Sequence, residues 1–85
     1  MIKEFIIAEI ALLPFPTFLA HGGCRGMPSY QFDKRGDRYY FSTTGQFAHT
    51  WGSYEDAEIF LKVFVGEFKL QGMYTVLPVY KHGLR

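Results

Sequence analysis

The fold is decided by residues 30–51, which read YQFDKRGDRYYFSTTGQFAHTW. Aromatic and polar side chains alternate along this stretch, and a period of two places successive side chains on opposite faces of a strand. Gly36 and Gly45 fall where the alternation breaks, and glycine is favoured in turns. The stretch therefore predicts a meander of three short antiparallel strands, over Ser29–Phe32, Arg38–Thr43 and Gln46–Trp51.

The alternation sorts these side chains onto two faces. One face is aromatic and includes His49 among Tyr30, Phe32, Tyr39, Phe41, Phe47 and Trp51. The other face carries Ser29, Gln31, Arg38, Tyr40, Ser42, Ala48 and Thr50. A sheet that is apolar on one side and polar on the other buries its apolar side only. We therefore predict that the second face is open to solvent.

A helix is predicted to cover the aromatic face. Ser53 has the side chain of a good N-cap, and Asp56 follows three residues later. Apolar residues then recur at helical spacing, at Ala57, Phe60, Leu61, Phe64 and Phe68. Gly72 is the predicted C-terminal stop, and Gly66 is an earlier alternative.

The flanking segments complete the order β-β-β-β-α-β. Residues 2–13 fit a strand, because on a helical wheel Glu9 would fall within the apolar face. Residues 14–28 are rich in proline and glycine and predict a long connection. Met73–Tyr80 predicts a last strand, which Pro78 restricts to a sheet edge or a bend. The expected fold class is α+β, a small antiparallel sheet with one amphipathic helix packed on one face.

Size and composition favour a single binding domain over residues 1–85. Of the 85 residues, 48% are hydrophobic and 19% aromatic, which supports a packed core and argues against disorder. A pocket that holds a substrate and excludes water is hard to build at this size, so we predict a non-enzymatic protein without a cofactor. The net charge of +1 creates no general attraction for nucleic acid or anionic membranes.

The N-terminal half also bears on localisation. The apolar run at 5–20 is interrupted by Glu9, Pro14 and Pro16, and it falls short of the roughly 20 apolar residues of a membrane span. Cys24 is the one cysteine, so no intramolecular disulfide can form. We therefore expect a cytoplasmic protein with no membrane partner.

The open face and the adjoining basic turn form the predicted binding site. Tyrosine and arginine are enriched in protein interfaces, because they combine contact area with a polar group. The same side chains suit stacking on bases and contact with phosphate. A protein partner is preferred, as for the small inhibitors or adaptors that phages encode, and a nucleic-acid-binding module is the alternative. The candidate residues are Gln31, Lys34, Arg35, Arg38, Tyr40 and Ser42.

A meander followed by a helix resembles the arm-type DNA-binding domains of phage integrases. The resemblance covers Tyr30 to Phe64 and includes the helix start SYEDA at residues 53–57. It implies a sheet laid in the major groove of DNA. Those domains have more basic strands, and here only Arg38 meets that expectation, so the chain is not assigned to the family.

Two further features leave alternatives open. His21 and Cys24 have the spacing of half a metal site, or of a thiol and its base, with His49 or His82 as distant partners. We expect neither chemistry, because structural zinc sites usually have two tightly spaced ligand pairs. Ile59 and Val63 lie beside the main helical stripe, where they are either covered by the 14–28 connection or form a partner surface, including one for a homo-oligomer.

Overall fold

The computed structural model describes residues 2–10, 15–32 and 36–81, in which one helix packs on a five-stranded sheet. The elements are β1 (Ile2–Glu9), β2 (Thr17–His21), β3 (Tyr30–Phe32), β4 (Asp37–Ser42), α1 (Tyr54–Phe68) and β5 (Tyr74–Lys81). All paired strands are antiparallel, in the order β3-β4-β2-β1-β5. The predicted α+β class, with one helix on a small antiparallel sheet, is confirmed.

The strand at the centre of the sheet is one that the sequence did not predict. Thr17–His21 lies within the predicted 14–28 connection, yet it pairs with β1 on one side and β4 on the other. Leu19 and Ala20 are both fully buried. A strand buried on both faces has no polar alternation to mark it, so the sequence does not distinguish its short apolar run from a loop.

The predicted strand Gln46–Trp51 is wrong. Residues Gly45–Phe47 form a single 3-10 turn, and Phe47 is 58% exposed instead of lying on the aromatic face. The rest of the segment fills the gap where β1 and β2 diverge. The His49 N–H donates to the Leu19 carbonyl at 2.9 Å, and Trp51 exchanges backbone hydrogen bonds of 2.8 and 2.9 Å with Phe5. These isolated bridges link β2 to β1 without forming a strand.

The predicted outer strands are close to those observed. β1 ends at Glu9, and residues 11–13 of the predicted strand lie outside the described residues. β5 pairs with β1 along its whole length and is an edge strand, as the proline predicted. Pro78 lies opposite Phe5, whose backbone groups bond to Trp51 on the other side. The nitrogen of Pro78 therefore faces outward, where a strand needs no donor.

Helix α1 begins as predicted and ends elsewhere. The Ser53 Oγ accepts a hydrogen bond from the Asp56 N–H at 3.1 Å, which is the predicted N-cap. The helix runs through Gly66 and stops at Phe68, so neither predicted glycine ends it. Lys69 takes the left-handed conformation that closes the last turn, with φ 52°, and its N–H donates to the Val65 carbonyl.

The core between the helix and the sheet is largely aromatic. Phe64 is fully buried, and its ring centroid lies 5.5 Å from that of Phe32 and 5.8 Å from that of Tyr39. Ile7 and Leu19 complete the buried cluster. Edge-to-face ring pairs of this kind each contribute about 0.5–1.5 kcal/mol beyond the area that they bury.

Candidate binding surface

Gln31 and Arg38 form the exposed part of the predicted binding face. They are register partners across β3 and β4, and both side chains are exposed. Their chain neighbours Phe32 and Tyr39 contact the Phe64 ring of α1, so Gln31 and Arg38 lie on the opposite face of the sheet. The structure therefore leaves these two candidate residues accessible to a partner.

Tyr40 and Ser42 do not belong to an open face. Tyr40 is 8% exposed and Ser42 is 5% exposed, so the prediction that both stand in solvent is wrong. β2 pairs with β4 and makes it an interior strand, so side chains of β2 flank these two residues on the same face. Tyr40 lies opposite the fully buried Ala20, and Ser42 Oγ accepts a hydrogen bond from the Thr44 N–H at 3.2 Å.

The middle of this face is closed to solvent beyond these two residues. Ile6 and Ala8 of β1 are buried there as well. The predicted one-sided packing of the sheet is therefore wrong over its central strands. The remaining two candidate residues, Lys34 and Arg35, lie outside the described residues. Gly36, which follows them, has the positive φ of 80° that was expected of this turn.

The glycine-rich connection that follows β2 begins with a backbone contact to Arg38. The Gly22 N–H donates to the Arg38 carbonyl at 2.7 Å, and Gly22 itself has a φ of 114°. Cys24 and Arg25 are exposed in this connection, and the Cys24 thiol lies 3.8 Å from the Arg25 carbonyl as a weak donor. Within the described ranges, no hydrogen bond joins Cys24 to His21.

A second cluster of polar side chains lies on the helix side of the sheet. His21 Nε2 lies 3.6 Å from Asp37 Oδ1, and the His21 ring is 6.0 Å from that of His49. His49 in turn contacts Trp51 at 4.5 Å and Tyr39 at 6.2 Å between ring centroids. The prediction that His49 lies among the aromatic residues is confirmed.

The sequence did not predict that His21 lies beside Tyr39 and His49, because it did not predict strand β2. His21 is opposite Tyr39 only once Thr17–His21 is paired with β4. Burial, and then the neighbouring His21, lower the pKa of His49 below its ordinary value. Asp37 faces the exposed His21 and can orient its ring. The cluster therefore places two imidazoles and one carboxylate together on the helix side of the sheet.

The metal-site alternative concerns His21, Cys24 and their distant partners. In the part of the chain that the structure describes, no group of three or more His, Cys, Asp or Glu side chains is arranged to hold a metal ion. The more distant candidate ligand His82 lies outside that part. The described residues thus offer the half-site at His21 and Cys24 no further ligands.

The outer side of α1 is apolar in its middle. Ile59 is 63% exposed and Val63 is 53% exposed, one helical turn apart. Of the two interpretations of these residues, coverage by the 14–28 connection does not apply, since both remain exposed. Two aliphatic side chains on the solvent side of a helix are an unoccupied contact area.

Comparisons with protein families, with curated proteins and with solved structures found no match to this chain. A separate property concerns membranes. Among the described residues, no helix combines the length and the apolar composition that crossing a bilayer requires.

Proposed function

We propose that this chain is a non-enzymatic binding domain, an inhibitor or adaptor in the cytoplasm, that engages a protein through Gln31 and Arg38. The observation that carries the proposal is the exposure of this cross-strand pair beside the buried central residues Tyr40 and Ile6 of the same face. Both side chains project from paired strands, so their backbone positions are fixed before a partner arrives. A preorganised surface loses less entropy on binding than a loop does.

The chemistry of Arg38 defines the kind of partner. Its guanidinium has five donors in a planar fork that matches a carboxylate. No ion pair joins Arg38 to another residue in the described ranges. Gln31 adds an amide that donates and accepts. We infer a protein surface that presents a carboxylate beside backbone polar groups. From the sequence alone, we propose that Lys34 and Arg35 add positive charge to the contact.

A capture experiment tests this function. The tagged chain is incubated with extract of its native host, with and without nuclease, beside Arg38→Ala, Gln31→Ala and Lys62→Ala. Lys62 is an exposed cation on α1 and serves as the matched control. We expect one protein to be retained by the wild type and Lys62→Ala and lost from the other two variants, whether or not nuclease is added. Equal retention by all four chains contradicts the proposal.

Nucleic acid is the other candidate partner for the same pair, and the same experiment separates it. Phosphate contacts weaken steeply as salt rises, because binding releases condensed counterions. Retention that disappears with nuclease, or that falls steeply between about 50 and 200 mM salt, would replace the protein partner by a nucleic acid.

We also propose that the apolar strip formed by Ile59 and Val63 contacts a second copy of the chain. The strip is small, so self-association is expected to be weak. Sedimentation equilibrium of the wild type and of Ile59→Lys at rising concentration tests it. A dimer in the wild type alone supports the strip as the contact, and a monomer in both contradicts it.

A further inference from the structure

A small pocket opens on the helix side of the sheet, at the end where β1 finishes and β2 begins. Its volume is about 190 Å³, which fits a side-chain group or a small amine and is below the roughly 300–1,000 Å³ of a usual ligand site. One wall comes from the sheet and the other from the connection before β3. The lining residues are Glu9, Thr17, Met27, Pro28, Tyr30 and Phe41.

Glu9 gives the pocket a negative charge. Its Oε1 accepts a hydrogen bond from the Thr17 hydroxyl at 3.2 Å, which holds the carboxylate at the pocket wall. No ion pair joins Glu9 to a cation within the ranges that the structure describes. Tyr74, the register partner of Glu9, has its pKa raised by burial and then by the charge of Glu9. The pocket therefore has an anionic group without a described cation to neutralise it.

Two aromatic residues, Tyr30 and Phe41, line the same pocket as Glu9. The Tyr30 and Phe41 rings lie 6.0 Å apart between centroids and are nearly perpendicular, with 78° between their planes. Tyr74 approaches Phe41 at 5.6 Å. A cation is attracted to the face of an aromatic ring, and quaternary or methylated ammonium groups are bound in cages of such rings. Met27 adds a polarizable apolar contact suited to methyl groups.

We propose that this pocket binds an alkylammonium group, with Glu9 neutralising its charge and the Tyr30 and Phe41 rings contacting its methyl or methylene groups. The same chemistry is available from a free amine such as choline and from a lysine side chain of a protein. Only the second source rests on the proposed protein-binding function. The pocket lies on the opposite face of the sheet from Gln31 and Arg38, so the two sites can be tested separately.

Titration of the isotope-labelled chain, followed by amide chemical shifts, tests the proposal. The probes are choline, its neutral isostere 3,3-dimethyl-1-butanol, and Nα-acetyl-lysine methylamide, each at constant ionic strength. We expect choline to produce saturable shifts at Thr17 and Phe41 and to bind at least about tenfold more tightly than the neutral isostere. Stronger binding of choline than of the lysine derivative identifies a free amine, and the reverse identifies a lysine side chain.

Two variants separate the role of charge from that of shape. Glu9→Gln keeps an acceptor for Thr17 and removes the charge, so we expect choline affinity to fall to that of the isostere while the amide spectrum stays folded. Glu55→Gln, an exposed position in the first turn of α1, should bind choline as the wild type does.

Equal affinity for choline and the isostere, shifts that do not centre on the pocket, or undiminished binding by Glu9→Gln would overturn the proposal. If the chain binds choline in the pocket but captures no protein from extract, the pocket proposal stands and the proposed function is refuted. The two failures are therefore distinguishable.

Discussion

At the scale of single residues, two glycines near the end of α1 have opposite surroundings. Gly66 lies inside the helix with nothing within 4 Å of the position that a Cβ would take. A Cβ at Gly72 would lie 2.7 Å from Glu9 Oε2 and 2.9 Å from the Tyr74 hydroxyl. The same substitution to alanine should therefore change stability in opposite directions.

We expect Gly66→Ala to raise the free energy of unfolding by about 0.8–1 kcal/mol, because alanine loses less backbone entropy in a helix. Gly72→Ala should lower it by about 1–2 kcal/mol through overpacking against Tyr74 and Glu9. Urea unfolding of both variants measures the two changes, and each variant is the control for the other. Two changes of the same sign would contradict the packing described around Gly72.

His49 should make stability depend on pH. Its folded-state pKa is lowered from 6.5 by burial and by His21, so the folded chain takes up a proton at lower pH than the unfolded chain. The unfolded state then binds more protons as pH falls through 6.5, and the free energy of unfolding decreases. Asp37 and Tyr39 of β4 and Trp51 also face this imidazole pair.

We expect the urea midpoint of the wild type to fall between about pH 7.5 and 5.5 by more than that of His49→Gln, which lacks the imidazole at residue 49. The urea midpoint of His21→Gln should fall by an intermediate amount over the same pH range. Burial, the larger cause of the lowered pKa of His49, remains in this variant. An equally steep fall in wild type and His49→Gln would contradict the assignment.

For Tyr40, the sequence predicted the face of the sheet on which the side chain lies but not its burial. The alternation of Tyr39 and Tyr40 was enough to place them on opposite faces, and that placement holds. It does not report whether the second face is covered, because a tyrosine suits both a buried site and a wet one. Arg38 was predictable as exposed, since an unpaired arginine is rarely buried.

At the scale of elements, α1 ends in a strained residue. Lys69 has a φ of 52°, in the left-handed region where a side chain with a Cβ costs about 1–2 kcal/mol. We expect Lys69→Gly to raise the free energy of unfolding by roughly 0.5–1 kcal/mol after the added entropy of the unfolded glycine is counted. Thermal unfolding measures the change.

Lys62→Gly is the matched control, because Lys62 lies exposed in the helix interior. The same replacement there should destabilise the chain by about 1 kcal/mol. Destabilisation by Lys69→Gly of the same size as that by Lys62→Gly would show that residue 69 is not a left-handed cap.

The free edge of β5 depends on Pro78. Because the Pro78 nitrogen faces outward, it removes one donor from the row that an incoming strand would need. We expect Pro78→Thr to promote concentration-dependent association without lowering the stability of the monomer, as measured by sedimentation velocity. Val79→Thr changes a residue whose N–H faces β1 and should stay monomeric to the same extent as the wild type. Association beyond that of the wild type in both variants, or in neither, would contradict this role for Pro78.

The elements differ in how much the sequence disclosed. α1 and β5 were predictable because each carries a local signal, the Ser53 cap for one and the edge proline for the other. β2 was not, since Leu19 and Ala20 on its opposite faces are both buried, and burial of both faces removes the alternation that identifies a strand. The segment after Gly45 has strand-like alternation, but its neighbours in the sheet, β1 and β2, admit only single bridges.

For the molecule as a whole, the α+β class was predictable from the pattern of elements. The candidate surface was predictable only in part. Arg38 and Gln31 remain exposed because β3 and β4 lie at one side of the sheet. Tyr40 and Ser42 are buried on the interior strand β4, beside β2. The long-range pairing between residues 18–21 and 39–42 makes β4 an interior strand, and no local pattern encodes such a contact.

The central claim is that binding uses the exposed pair on β3 and β4 and leaves the buried Tyr40 out of the interface. The most direct test is the dissociation constant of the captured protein for the wild type, Arg38→Ala and Tyr40→Phe, by isothermal titration calorimetry. We predict that Arg38→Ala weakens binding by roughly tenfold or more, about 1.4 kcal/mol, and that Tyr40→Phe changes it by less than about twofold. Unchanged affinity for Arg38→Ala together with a loss for Tyr40→Phe would contradict the account.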